Sequence, residues 1–436
     1  MLDTLLTNGF VYIDGKYQRL NVGITGEKIS YLGKEEPSAR QKVNVNHSRI
    51  LPGLIDPHVH FALYCGTITS RDDFYYGTKS AAYGGVTTIV DFLDPSRNAK
   101  ELEKSFYKRL ALAQRANVDY HFHACIREPN GDLEEYVLKM KELGMNTIKL
   151  FTTYSETHRR TSDEDIKKLL TLSRRYKFVV LAHIENDEMI KHDKGLTYQD
   201  LPIARNSISE ISEALKLCQM AVETKGNLYM VHCSSGATLQ AIIKNYEKYI
   251  GKYIYIESCP QYFTFTNAVL RRPDGYLYTF APPLRSEKER RLLCYYFDYL
   301  STIGTDHCSF NKEDKATHTL LEGMPLGIGG IETSFLVLYE MFGDRVIDKM
   351  CKNLAKIERF KGKNGIKVGN YADLFVMSSD PQVVGKPHGK SDYSIYERMK
   401  LSNTITDTMV RGRFVLRNKK FIPNRGQLVN CEKKKL

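Results

Sequence analysis

The sequence predicts an α/β protein, a (β/α)8 TIM-like barrel with a small β-sandwich domain formed from both chain termini. Three observations carry this. Between about residues 50 and 306, short strand-like runs alternate with amphipathic stretches, the pattern of a parallel sheet covered by helices. Eight such units fall within roughly 250 residues, the size of a (β/α)8 barrel. Both ends of the chain carry instead the alternating apolar residues and turn motifs of antiparallel β structure.

The strand candidates are, in order, "RILPGLIDPHVH", "GVTTIVDFL", "VDYHFHACI", "MNTIKLF", "KFVVLAH", "NLYMVH", "YIYIESC" and "TIGTD". Between them, "ELEKSFYKRLALAQRA", "DEDIKKLLTLSRRY" and "ISEALKLCQMAVETKG" place apolar residues at helical spacing, the last two after Asp or Ser cap candidates. At the N-terminal end, "LLTNGFVYIDGKYQ" and "NVGITGEKISYLG" read as short strands with turns. So do "IKVGNYADLFVMS" and "TITDTMVRGRFVLRNKKFI" at the other end. Each end is too small to stand alone. One sandwich of residues 1–49 plus 366–436, flanking a barrel of 50–365, is the economical division.

Composition narrows the function classes. The chain has 436 residues, 42% hydrophobic and 26% charged, which is globular and long enough for a large core. No run approaches the ~18 apolar residues of a membrane span, and "MLDTLLTNGF" lacks the basic start of a signal peptide. Nine cysteines without CxxC pairs read as reduced thiols of a cytoplasmic protein. The net charge of +12 is spread among glutamates, its densest run being the tail "CEKKKL". That is a solvated surface and does not point to nucleic acid.

Active sites of such barrels lie at the C-terminal ends of the strands. Strand one ends with His58 and His60, strand five at His183, strand six at His232 and strand eight at Asp306, while strand four carries Lys149. Residues two apart on a strand share a face, so His58 and His60 can reach one ion. Imidazole and carboxylate suit a catalytic zinc that keeps a position open for water. A second His-x-His, His121 and His123 in "YHFHAC", lies near the middle of its strand candidate and reads as core. Lys149 is the odd member. A free amine of pKa ~10.4 is a cation and a poor neighbour for Zn²⁺. Its bland reading is a lysine at the barrel rim. The functional reading is a carbamate formed with CO2, an anion able to bridge two metals.

The chain resembles the cyclic-amide hydrolases of the amidohydrolase superfamily, on the hydantoinase and dihydropyrimidinase branch. The resemblance rests on "PGLIDPHVHF", "GTITSRDDFYYGTKSAAYGGVTTIVDF", "IKLFTTYS", "LAHIENDEMI", "MVHCSSGATLQAI", "ESCPQYFTF", "APPLR", "IGTDHCSFN" and "VGNYADLFVMSSDP", in order along nearly the whole chain. It implies a small-molecule cyclic-amide substrate and two divalent ions, usually zinc. His58, His60 and Asp306 would hold the first ion, His183 and His232 the second, and N6-carboxylated Lys149 would bridge them. A metal-bridging hydroxide would attack the ring carbonyl. Asp306 would pass the proton to the leaving nitrogen, and Tyr154 would hydrogen-bond the oxyanion. Relatives are commonly tetrameric, so a homo-oligomer, tetramer or dimer, is expected.

Departures bear on the substrate. Ala281 stands where relatives usually have Ser before "PPLR", and Leu326 where they tend to have Asn. These positions contact substrate largely through backbone groups in the family, and a more apolar wall favours a less polar ring or another substituent. Residues 311–323 also differ from the family in detail. Ala62 occupies the position of the dihydroorotase carboxylate-binding Arg, which argues against that activity. Allantoinases commonly carry Asn there. An allantoinase-like or other cyclic ureide or imide hydrolase is the alternative enzyme. A non-catalytic scaffold related to dihydropyrimidinase is the alternative class, and its expected mark, lost ligands, is absent at all six positions.

Overall fold

The structure, a computed structural model, describes residues 1–431. The lysine run of the tail, residues 432–436, lies outside the described residues.

Eight strands form one parallel sheet: β1 Leu54–Val59, β2 Val86–Phe92, β3 Asp119–Cys125, β4 Thr147–Phe151, β5 Val179–His183, β6 Leu228–Met230, β7 Ile254–Ser258 and β8 Thr302–Ile303. Each pairs in parallel with the next. The barrel closes just past β8. Val59 and His307 form a parallel bridge, and the His60 N–H donates to the His307 carbonyl at 2.8 Å. Nearly every residue of these strands is buried, as expected of a sheet with side chains filling one face and helices covering the other.

The predicted helices are present. Asp163–Tyr176 starts at Ser162, whose side chain accepts from the Asp165 N–H. Ser207–Thr224 starts at Asn206, which accepts from the Ser209 N–H, a few residues before the expected start. Ala99–Ala113 is capped in the same way by Asn98.

The termini build a second, nine-stranded, mostly antiparallel sheet. The N-terminal strands Leu2–Ile13 and Lys16–Thr25 pair antiparallel across Asp14-Gly15. Both turn residues have positive φ, 44° and 84°, which is why an Asp-Gly pair sits there. Arg49–Pro52 pairs antiparallel with Leu374–Ser378 and so joins the two ends of the chain. Inward side chains, among them Leu6, Val22, Ile50, Leu374 and Met409, meet in a core separate from the barrel's. The last described stretch leaves this sheet and runs beside β3, where the Tyr120 N–H donates to the Gln427 carbonyl at 3.0 Å.

Two strand expectations need correction. "RILPGLIDPHVH" is two strands in two sheets, divided at Gly53. A Cβ on Gly53 would lie 2.3 Å from Thr87 Oγ1 and 2.9 Å from Thr87 Cβ. The chain can change sheets there only without a side chain, and a continuous apolar run hides that change. β6 and β8 also stop short of their expected last residues. His232 and Asp306 lie beyond them, in left-handed backbone with φ of 39° and 54°. Such conformations in non-glycine residues are strained and gather at functional sites.

Candidate metal centre

At the C-terminal mouth of the barrel, the side chains of His58 and His60 converge on one oxygen. His58 Nε2 lies 3.2 Å and His60 Nε2 3.1 Å from Asp306 Oδ1. One ligand atom from each residue falls within 4.8 Å of the other two, the geometry of a cation site. A second pair adjoins it. The His183 and His232 rings meet with Nδ1 and Nε2 2.9 Å apart, and the His232 ring centroid lies 5.4 Å from that of His58. Lys149 on β4 is buried, and its charge acts on His58, His183, His232 and Asp306 alike. Its Nζ lies 5.4 Å from the Phe92 ring centroid and 5.3 Å from that of Phe151. Among the described residues it has no hydrogen bond or ion pair.

Supporting side chains set the ring orientations. Glu257 on β7 lies 2.8 Å from His58 Nδ1 and accepts from the Tyr229 hydroxyl at 2.6 Å and the His232 N–H at 3.1 Å. Glu185 lies 2.5 Å from His183 Nε2 and is held by Arg205 at 2.6 Å. With those nitrogens donating, His58 turns a lone pair toward the Asp306 oxygen and His183 turns one toward His232. Burial holds the pKa values of His58, His183 and His232 below that of an ordinary imidazole, which favours the neutral, ligating form. Asp306 is ionised. Burial works against this, but His58, His60 and Lys149 outweigh it and hold its pKa below the usual carboxylate value. Among the described residues, His232 Nδ1 is buried without a hydrogen-bond partner. Lone pairs and a carboxylate aimed at one another in a buried site form a donor set that fits divalent ions. Burial brings the Lys149 amine down to about 8, against the pull of Asp306, so the CO2-reactive free base is accessible near neutral pH.

Tyr154 sits just past β4 at φ 71°. Its ring centroid lies 5.2 Å from that of His183, and the Arg205 guanidinium covers its ring at 4.8 Å. Burial pushes its hydroxyl up to about 12, keeping it a proton donor. Ala281 and Leu326 are partly exposed. Lys315 ties the two stretches together by donating to the Thr279 carbonyl at 2.7 Å and the Pro325 carbonyl at 2.9 Å. No hydrogen bond links Ala281 or Leu326 to the histidines among the described residues. His121 and His123 bond at both ring nitrogens to groups away from the mouth, His123 to the Pro57 carbonyl and Thr147, and His121 to the Val429 carbonyl and Cys431.

Sequence reading passed over Glu257, Glu185 and Arg205. For the glutamates a signal was available. Each is an acidic residue inside an otherwise apolar strand end, in "YIYIESC" and "LAHIEN", where burial requires a partner. Arg205 lies on a loop with no such mark.

A closed parallel barrel with this donor set at its C-terminal mouth defines the class of barrel enzymes built around a metal-ligand constellation. The model of the Amidohydrolase family matches residues 49–415, and the chain belongs to that family. A D-hydantoinase of Geobacillus stearothermophilus is 28% identical over 461 residues, covering 98% of this chain and 96% of the relative. Among solved structures, a D-hydantoinase superposes with TM-score 0.92 at 27% identity, covering 98% of each chain. The dihydropyrimidinase from Brevibacillus agri NCHU1002 superposes with TM-score 0.91 at 26% identity, covering 99% of this chain and 100% of that one.

Proposed function

We propose that the protein opens a cyclic amide, a hydantoin or dihydropyrimidine ring, by hydrolysing a carbon–nitrogen bond other than a peptide bond. The observation that carries this is the convergence of His58, His60 and Asp306 beside the facing His183 and His232, with buried Lys149 near all of them. The names of the relatives, D-hydantoinase and dihydropyrimidinase, support the ring class.

In this reading His58, His60 and Asp306 would hold one ion, His183 and His232 a second, with carboxylated Lys149 shared between them. Two divalent ions, zinc by the donor set, supply when bound an acidified water and polarisation of the ring carbonyl. The protein's own residues do the rest. Glu257 and Glu185 keep the His58 and His183 rings in their ligating orientation. Asp306 Oδ takes the proton of the attacking water and returns it to the leaving ring nitrogen. The Tyr154 hydroxyl donates to the oxygen on which negative charge develops. The backbone around Ala281 and Leu326 positions the ring. The same proposal treats the chain as a terminal β unit, residues 1–49 with 366–436, and a catalytic barrel, 50–365, with residues 50–52 still pairing in the terminal sheet before the change-over at Gly53. It also makes the protein a cytoplasmic homo-oligomer, a dimer or tetramer, which light scattering tests.

The decisive experiment is a ring-opening screen of hydantoins, dihydrouracil, allantoin and dihydroorotate, using protein loaded with Zn²⁺ and bicarbonate. Opening of hydantoins or dihydrouracil, lost on chelation, is expected. Metal-replete protein that opens none of these rings would overturn the proposal.

A further inference from the structure

Tyr154 stands on a loop, in a conformation that a tyrosine does not adopt unaided. The loop leaves β4 at Phe151 and returns at Arg160, and these two residues form a parallel bridge at its base. Between them residues 155–158 are exposed, and Tyr154 itself takes left-handed backbone, φ 71° and ψ 39°. A residue other than glycine keeps such a conformation only where its surroundings impose it. Among the described residues the Tyr154 hydroxyl has no hydrogen bond, so the tip of the side chain holds nothing in place.

The hold comes from the segment just past β5. The Thr152 hydroxyl donates to the His183 carbonyl at 2.7 Å and accepts from the Glu185 N–H at 3.1 Å. One oxygen of Asp187 then takes the residue on either side of Tyr154. The Thr153 hydroxyl donates to Asp187 Oδ1 at 3.0 Å, and the Ser155 N–H donates to the same atom at 3.3 Å. The other oxygen lies 3.5 Å from the Arg160 guanidinium, at the base of the loop. Arg205, tied to Glu185 at 2.6 Å, covers the Tyr154 ring at 4.8 Å, and that ring stands 5.2 Å from the His183 ring. The same short segment thus carries a candidate ligand and frames Tyr154. Among the described residues the Asp187 carboxylate bonds to none of the candidate ligands.

We propose that Asp187 is a positioning residue for ring opening. By holding Thr153 and Ser155 it fixes the backbone turn that aims the Tyr154 hydroxyl at the oxygen on which charge develops. This rests on the ring-opening reading above and adds how its oxyanion donor is placed. Without the carboxylate the candidate ligands keep their own partners, while the donor loses its aim. A donor that acts in the transition state is read in kcat rather than in KM, and a misplacement of about 1 Å can cost about 100-fold.

The test uses protein loaded with Zn²⁺ and bicarbonate and the ring that the wild type opens fastest in the screen. Asp187→Ala is expected to lower kcat about tenfold or more, with KM within about twofold of wild type and zinc content unchanged. Asp187→Asn keeps an acceptor oxygen and should recover most of the loss. In a Tyr154→Phe background, itself slowed about 100-fold, Asp187→Ala should cost less than about twofold more, because the group it places is gone. Hydrogen exchange reads the hold without turnover. The peptide spanning 151–160 should exchange faster in Asp187→Ala and near the wild-type rate in Asp187→Asn. Wild-type kcat in Asp187→Ala, loss of zinc from that variant, or full additivity with Tyr154→Phe overturns this inference and leaves ring opening standing. A wild type that opens no ring removes the ring-opening reading, and this inference with it.

Discussion

At the scale of single residues, the site depends on groups that burial keeps in unusual protonation states. Among the described residues Lys149 has no counter-ion contact, and burial depresses its pKa to about 8. Lys149→Ala is therefore expected to lower bound metal from about two ions to one or fewer per subunit, measured by plasma mass spectrometry. Retention of both ions with full turnover would remove the bridging assignment. Glu358, beneath the barrel, gives a pH prediction. Burial raises its carboxyl to about 8, with one oxygen lacking a hydrogen-bond partner among the described residues. The folded state thus keeps a proton that the unfolded chain gives up near ~4.3. The stability this proton confers is present below that value and lost as pH rises through the folded pKa. Glu358→Gln should accordingly raise Tm by about 2–4 °C at pH ~8.5, with the gain vanishing by pH ~5, as scanning fluorimetry would show. That the candidate histidines and Asp306 gather in one place was legible because each ends or follows an apolar run that repeats around a barrel. Glu257 and Arg205 were not, because what matters is whom they touch. Glu257 meets His58 across 199 positions of sequence.

At the scale of elements, alternation and periodicity located the strands and helices, and failed where a chain changes direction without changing polarity. Gly53 divides one apolar run between two sheets, and its missing Cβ leaves room for Thr87. Gly53→Ala is expected to cost about 1–3 kcal/mol by forcing β1 and β2 apart, read as a lower urea midpoint with an unchanged m-value. The short β6 and β8 show the complementary point. Their candidate site residues, His232 and Asp306, lie beyond the strands in left-handed backbone, which aims side chains that a regular strand would send elsewhere.

At the scale of the whole molecule, a buried ion network links the barrel to the terminal sheet. Asp119 on β3 accepts from Lys363 at 2.8 Å and from Arg411 at 2.7 Å, while Lys363 also reaches Asp373 at 2.5 Å and Arg411 reaches Glu27 at 3.0 Å. Removing one member leaves buried charge uncompensated, which costs about 3–5 kcal/mol. Asp119→Ala should therefore lower the midpoint of both units together, and circular dichroism should follow one transition. If the barrel alone melted earlier, the network would not be coupling them.

The sequence by itself determined the barrel, the terminal sheet and the residue types at the strand ends, because strand alternation and helical period are local consequences of burying one face. Only the tertiary structure decided which nitrogens of His58 and His183 face inward, and that Lys149 lies among the candidate ligands with no hydrogen bond or ion pair among the described residues. Those facts depend on contacts between residues far apart in the chain, and local pattern carries no record of them.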